Sequence, residues 1–187
     1  ALAGTARGTD KGDILLKSEK DLREHQLVIS SIQKQLRSQG LTSHCSRSTR
    51  LAKHGHLIHL HTPIVASIRD QLPLHLADAL HPTPAVAGLP RSQSIQWVRA
   101  LEPFDRGHYA APIGWIDNSG NTELRVAIRC GYLRDTKLDL MAGAGIVKGS
   151  VTEGEIEEVA LKLAVLAEQL SLNLDFQEKF TNRRSIT

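Results

Sequence analysis

The sequence is short of the features that mark several specialised classes of protein. Its 187 residues include only two cysteines, Cys45 and Cys130, far apart and in no C-x-x-C pair, which argues against a disulfide scaffold and a structural zinc site. No apolar run approaches the ~18 residues that a membrane helix needs, and no signal segment opens the chain. We therefore expect no membrane partner and a cytoplasmic location, or the plastid stroma if the source is a plant.

The charge of the chain is nearly balanced. Lysine and arginine number 23 against 20 acidic residues, for a formal net charge of +3. Residues of opposite sign alternate along most of the chain, so this small excess is poor evidence for nucleic-acid binding, and no nucleic-acid partner is expected. The hydrophobic content of 41% is typical of a globular protein with an ordinary core.

Helix and strand patterns occur in blocks rather than in strict β-α-β units. Ser18, with Asp21 three residues later, predicts a helix start, and Gly40 predicts its end. Further elements are predicted as strands on either side of a turn near residues 54–55, helices over 72–80 and 92–101, strands over 109–117, 124–129 and 138–142, and a closing helix over 152–170. This arrangement favours an α+β fold.

The closing helix begins with four glutamates within six positions, in GAGIVKGSVTEGEIEEVALKL (residues 143–163). Glu155 and Glu158 are three residues apart and share one face, on which Lys162 lies one turn later. Two such carboxylates suit Mg²⁺, which takes few protein oxygens. The helix dipole also favours acidic residues at a helix start, so the pattern alone fits an ordinary solvated helix end at least as well.

Several other polar residues are candidates with a structural alternative. Arg129 could grip a carboxylate with its guanidinium fork, or lie on a solvated strand face, and Tyr109 could donate to a ligand or be a half-buried strand residue. Asp21 and Glu24 share a helix face, and His59 is the histidine of interest in the strand IHLH. AGAGIVKGS could bind an anion through backbone N–H groups or form a tight turn, and it matches neither the P-loop nor G-x-G-x-x-G.

Taken in order, these segments resemble one family, the chorismate-utilising enzymes, and within it the isochorismate synthases. They are ALAGT, SEKDLREH, IHLHTP, LHPTPAVAGLP, EPFDRGHYAAPIGW, VAIRCG, and AGAGIVKGS followed by EIEEVALKL. The resemblance implies that residues 1–187 are the C-terminal portion of that fold, with antiparallel sheet layers flanked by helices. Residues 171–187 are then expected to be a flexible tail.

The resemblance also implies roles for individual residues. Mg²⁺ would be held by Glu24, Glu155 and Glu158, beside Asp21, and would hold the carboxylate of chorismate. The chorismate pocket would be lined by Gly4, Thr5, His59, Ala85, Tyr109, Arg129, Gly143, Gly145 and Lys162. Among these, Tyr109 and Arg129 would bind the enolpyruvyl carboxylate, and Lys162 would balance the acidic cluster.

Two positions bear on the subfamily. Salicylate synthases tend to carry threonine at the position of Ala85, so alanine fits an enzyme that stops at isochorismate. Ala111 stands where the family usually has glycine, which adds a methyl group close to the pocket. Isochorismate is expected to feed menaquinone or phylloquinone biosynthesis, or siderophore biosynthesis.

The resemblance implies that the catalytic site is incomplete in this chain. Family members are substantially longer, and their general-base lysine and general-acid glutamate lie upstream of the segment that ALAGT resembles. No catalytic residue is therefore expected here, and the chain alone is expected to be inactive, with the N-terminal half as a candidate separate partner. The alternative is a non-catalytic chorismate-binding or assembly subunit, or half of a split enzyme.

Overall fold

The structure, a computed structural model, describes residues 1–8, 12–68 and 71–172. They divide into two units, of which the first comprises residues 1–127 and 145–150, and the second comprises 128–144 and the residues from 151 onward. Helices alternate with small antiparallel sheets along the described chain, so the predicted α+β class is confirmed. The tail predicted over residues 171–187 lies outside the described residues, apart from its first two positions.

The first unit contains most of the regular structure. Its elements are β1 (Leu2–Arg7), α1 (Gly12–Leu15), α2 (Glu19–Ser38), β2 (Ser43–Cys45), β3 (Arg50–His54), β4 (Leu57–His61), β5 (Ile64–Ala66), α3 (Pro73–Leu80), α4 (Pro84–Ala87), α5 (Arg91–Leu101), β6 (Pro112–Ile116) and β7 (Thr122–Val126). Strands pair antiparallel in the order β1-β4-β3, and β2 with β5 and β6 with β7 form two-stranded ribbons.

Helix α2 follows the start and stop signals in its sequence. The Ser18 side chain accepts a hydrogen bond of 3.3 Å from the backbone N–H of Asp21, as predicted for the helix cap. At the other end Gly40 has a φ of +72°, which the absence of a Cβ permits, and Leu41 N–H donates to the Leu36 carbonyl. The cap at Ser18 fixes where the acidic first turn of α2 begins.

One part of the core of the first unit lies between α2 and the three-stranded sheet, and another is formed by Leu36, Leu41 and Leu76. Val28 and Ile29 of α2 are buried at adjacent positions, and Leu57 and Leu60 of β4 are 2% and 0% exposed. Strand β4 lies between β1 and β3, and α1 and α2 contact it, so most of its residues are buried. His59, which is half-buried, therefore projects from the central strand of this sheet.

The second unit contains β8 (Cys130–Arg134), β9 (Lys137–Met141) and α6 (Thr152–Gln169). Strands β8 and β9 form an antiparallel hairpin, and α6 contacts β9. Among the described residues, no helix is both long enough and apolar enough to cross a membrane.

Two residues expected on strands lie outside them. Tyr109 lies in a turn before β6, where its N–H donates to the Arg106 carbonyl at 2.8 Å. Arg129 has a φ of +55°, so its backbone is left-handed and cannot continue β7, which ends at Val126. The prediction that both side chains project from extended strands was therefore wrong.

Candidate functional site

The predicted site residues fall in both units. The first unit contains Gly4, Thr5, Asp21, Glu24, His59, Ala85, Tyr109 and Gly145. The second contains Arg129, Gly143, Glu155, Glu158 and Lys162.

The first group forms around the bulged pairing of β1 with β4. The ring Nδ1 of His59 lies 3.0 Å from the Gly4 carbonyl oxygen and 3.3 Å from Thr5 Oγ1. Because a carbonyl only accepts, Nδ1 carries the proton in this arrangement and the ring is fixed in one tautomer. Three predicted pocket residues are thus brought together, with the imidazole oriented by the backbone of β1.

Gly4 brings the backbone of β1 close to the first turn of α2. Its φ is +73°, and a Cβ built there would lie 3.2 Å from both Cβ and Oδ1 of Asp21. A side chain at this position would be strained and would also press on Asp21. The glycine is therefore required by both the local backbone conformation and the approach of the helix.

One turn later on α2, Glu24 lies directly against Gly145. A Cβ added to Gly145 would be 2.7 Å from Glu24 Oε1, closer than real Cβ atoms come to their neighbours, and 3.0 Å from Glu24 Cδ. The neighbouring Arg23 donates through Nη1 to the Lys148 carbonyl at 2.9 Å. Adjacent residues of α2 therefore hold the glycine-rich segment, one through a hydrogen bond and the other through close packing.

The glycine-rich segment is locally a tight turn. Ser150 Oγ accepts from the Val147 N–H at 3.1 Å, and the Ser150 N–H donates to the Val147 carbonyl at 2.9 Å. This bears out the structural alternative given for AGAGIVKGS over residues 147–150. Gly145, which precedes this turn, is the position that reaches a predicted metal ligand.

His25, next to Glu24, is a residue that sequence reasoning missed. It is 1% exposed, and its Nε2 lies 2.7 Å from Thr62 Oγ1, at the end of β4. Burial lowers the pKa of His25 from the usual 6.5 to about 4, helped by nearby positive charge, so the ring is neutral at pH 7. The signal was present in SEKDLREH, where His25 occurs three residues before the buried Val28 and so shares its helix face.

A second group surrounds Tyr109. Arg106 makes two hydrogen bonds to the Glu102 carboxylate, from Nε at 2.7 Å and from Nη2 at 2.6 Å, and its Cζ lies 5.9 Å from the centre of the Tyr109 ring. The hydrogen bonding with Glu102 raises the pKa of Arg106 above its already high usual value. Ala85, next to Val86 on α4, is exposed.

An open cavity of about 950 Å³ adjoins this group, and Tyr109, Arg106 and Glu102 are among its lining residues. Sequence reasoning used EPFDRG only as part of the resemblance and assigned no role to Glu102 or Arg106. The E-x-x-x-R spacing was visible, but it normally indicates a helix, and here α5 has already ended at Leu101.

In the second unit, the glutamates at the start of α6 differ in exposure, and Glu155 and Glu158 are the two that are shielded. Glu155 is 7% exposed, whereas Glu153 and Glu157 are exposed. Glu158 forms an ion pair of 2.6 Å with Lys162, whose Nζ also donates to a backbone carbonyl, that of Gly143, at 2.8 Å. The pair is largely shielded, with side-chain exposures of 15% and 12%. Lys162 thus joins the α6 carboxylates to the segment that contains Gly143.

Mg²⁺ takes oxygen ligands from only a few protein side chains. Within the described ranges, no group of three or more histidine, cysteine, aspartate or glutamate side chains could hold a metal ion. Glu155 and Glu158 nevertheless give two shielded carboxylates one turn apart on α6. Mg²⁺ is commonly bound through one or two carboxylates, with water and substrate oxygens in the other positions, so this pair fits it.

Comparison with known proteins gives the class of the protein. Residues 1–171 match the family model described as "Chorismate binding enzyme". The chain therefore belongs to the chorismate-binding enzyme family, as its sequence motifs suggested.

Particular relatives share most of the chain but extend well beyond it. The salicylate biosynthesis isochorismate synthase of Pseudomonas aeruginosa is 42% identical over 179 residues, which cover 91% of this chain and 38% of that protein. The DhbC structure from Bacillus anthracis has a TM-score of 0.86 at 33% identity, with 92% of this chain and 48% of that chain covered. The menaquinone-specific isochorismate synthase MenF of Escherichia coli has a TM-score of 0.77 at 33% identity, with 89% and 40% covered. This chain thus spans less than half the length of each.

Proposed function

We propose that this chain is part of an isochorismate synthase, which converts chorismate to isochorismate in a Mg²⁺-dependent reaction. The observation that carries the proposal is the 42% identity to an isochorismate synthase over 91% of the chain. The candidate site residues lie within the matched region, which extends to residue 171.

The reaction adds water at C2 of chorismate as the hydroxyl at C4 leaves. A general base must take a proton from the water, and a general acid must protonate the departing hydroxyl. We propose that the base, a lysine, and the acid, a glutamate, belong to a part of the enzyme outside these 187 residues. The role of this chain is then to bind and orient the substrate rather than to transfer the protons.

The substrate would be held by groups of opposite charge and by the glycine turns. Arg129 and Tyr109 are proposed to bind the enolpyruvyl carboxylate, the arginine through a bidentate pair of hydrogen bonds. His59, whose Nδ1 is hydrogen-bonded to the Gly4 carbonyl, is proposed to line the chorismate pocket with its ring held in that orientation. Glycine at position 145 leaves the substrate side of Glu24 open, because any side chain there would occupy that space.

The proposed metal ligands are Glu155, Glu158 and Glu24. When bound, Mg²⁺ would supply positive charge opposite the ring carboxylate of chorismate. Lys162 balances part of the negative charge of the acidic helix start, which would otherwise be costly for two shielded carboxylates. The support from the structure is strongest for Glu155 and Glu158, which share a helix face.

The exposed Ala85 is proposed to mark an enzyme that releases isochorismate instead of eliminating pyruvate from it. The product could serve quinone or siderophore biosynthesis, since the relatives named above include a menaquinone-specific synthase and one for salicylate biosynthesis.

A second candidate is a non-catalytic chorismate-binding subunit, including one half of a split enzyme. Its support is the family match over residues 1–171, which implies chorismate binding without requiring a catalytic step in this chain. Both candidates predict that the 187-residue chain binds chorismate.

A coupled assay, in which a second enzyme consumes isochorismate, tests the assignment of roles. The 187-residue chain alone is expected to give no turnover while calorimetry detects chorismate binding. Near-native turnover by the chain alone would contradict the placement of the base and acid outside it. Activity recovered on adding the N-terminal half of a relative would support the synthase over the non-catalytic subunit.

A further inference from the structure

Arg106 connects three separate parts of the first unit. Its Nε and Nη2 donate to the two carboxylate oxygens of Glu102, just after α5, at 2.7 and 2.6 Å. Its Nη1 donates to the Val86 carbonyl of α4 at 2.7 Å. Its Cζ lies 5.9 Å from the centre of the Tyr109 ring, within the range of a cation–π interaction. One side chain therefore fixes the end of α5, the helix that carries Ala85, and the turn that carries Tyr109.

The geometry distinguishes this arginine from an ordinary surface ion pair. The side chains of Arg106 and Glu102 are 26% and 28% exposed, and the pair is bidentate. In Arg125–Glu123, by contrast, the side chains are 79% and 50% exposed. Because a planar guanidinium fork holds both partners in one orientation, the shielded pair has the rigidity that a positioning role needs.

Tyr109 cannot be fixed by secondary structure, because it lies in a turn rather than on a strand. Ala110, the next residue, has a φ of +66°, an unusual conformation that its surroundings must maintain. The contact with Arg106 supplies such a constraint on the ring side. Arg106 and Tyr109 both line the open cavity of the first unit. The orientation of the Tyr109 ring therefore determines which part of the tyrosine faces a ligand in that cavity.

We propose that Arg106 is a positioning residue for substrate binding, which orients the Tyr109 ring and holds α4 without itself touching chorismate. This inference rests on the proposed function for the role of Tyr109 as a substrate contact. The orientation of the ring by Arg106 is a property of the free protein and can be measured without substrate.

The test uses the 187-residue chain with Tyr132→Phe, which leaves Tyr109 as the only tyrosine because the sequence has two. Carbon-13-labelled tyrosine then reports the ring environment of Tyr109 by NMR, and calorimetry with chorismate and Mg²⁺ reports binding. Arg106→Gln removes the guanidinium group, and Arg106→Lys keeps the positive charge without the bidentate geometry. Glu102→Gln removes the negative charge of the carboxylate that Arg106 binds. Arg125→Gln is the matched control at an exposed arginine.

Arg106→Gln is expected to move or broaden the Tyr109 ring resonances and to weaken chorismate binding by about tenfold. Arg106→Lys should keep only part of the ring environment and of the chorismate affinity. The control Arg125→Gln should change neither the ring resonances nor the affinity. If Arg106→Gln does not fold, Arg106→Lys and Glu102→Gln give the same ring measurement. Unchanged ring resonances in the folded variants would overturn the proposal. If the ring moves but the unaltered chain binds no chorismate, the positioning by Arg106 stands and the proposed function fails.

Discussion

Acid should destabilise this protein through His25. The side chain is 1% exposed, and burial lowers its pKa to about 4, below the 6.5 of an unfolded histidine. The unfolded state therefore binds a proton at a higher pH than the folded state does. The stability that depends on neutral His25 is present above pH 6.5 and is lost as the pH falls from 6.5 to about 4. Below about pH 4, this histidine causes no further loss.

The size of the effect follows from the two pKa values. Each unit of difference is worth about 1.4 kcal/mol, so a shift from 6.5 to about 4 amounts to roughly 3 kcal/mol between neutral and strongly acidic solution. About 2 kcal/mol of this should already be lost at pH 5. Because domains of this size are typically stable by about 5–15 kcal/mol, the loss is large enough to measure.

The comparison that isolates His25 uses His25→Gln, because the glutamine amide can reach Thr62 Oγ1 but does not titrate. Urea unfolding at pH 7, 6 and 5 should show a smaller loss of stability for this variant than for the unaltered chain, by about 2 kcal/mol at pH 5. His44→Gln, at an exposed histidine of β2, is the matched control. Parallel pH profiles for the unaltered chain and His25→Gln would refute the reasoning.

Two further predictions concern the candidate site. Gly145→Ala places a methyl group 2.7 Å from Glu24 Oε1 and should weaken binding of chorismate with Mg²⁺ by at least about tenfold in calorimetry. Gly154→Ala meets nothing within 4 Å and should bind normally; equal binding by the two variants would contradict the close packing. Lys162→Met should lower the free energy of unfolding by about 2 kcal/mol in urea, because it leaves the shielded Glu158 without its cation. Glu158→Gln in the same chain should recover part of that loss, and no recovery would show that the pair is not coupled.

Local signals were sufficient to predict the long helices. Ser18 and Gly40 gave the two ends of α2, and the glutamate spacing gave the face of α6 that carries Glu155 and Glu158. These features depend on residues within one or two turns of each other, so a sequence shows them directly. The same holds for the Glu158–Lys162 ion pair, which forms within one helix.

Features that depend on contacts distant in sequence were not predictable in this way. The left-handed backbone at Arg129 interrupts a run that otherwise alternates like a strand, and no residue type there signals the break. The helix α4 was missed because four residues are too few to show a helical period, and strand β8 was not predicted either. The role of Arg106 depends on a hydrogen bond to a residue 20 positions earlier, which spacing cannot reveal.

Metal-dependent substrate binding by the carboxylates of α6 is the central claim, and calorimetry tests it most directly. Chorismate is titrated into the 187-residue chain with and without Mg²⁺, and into Glu155→Gln with exposed Glu157→Gln as the matched control on the same helix. We predict binding that requires Mg²⁺, is lost in Glu155→Gln and is retained in Glu157→Gln. Chorismate binding that is equal with and without Mg²⁺, or equal in the two variants, would contradict the account.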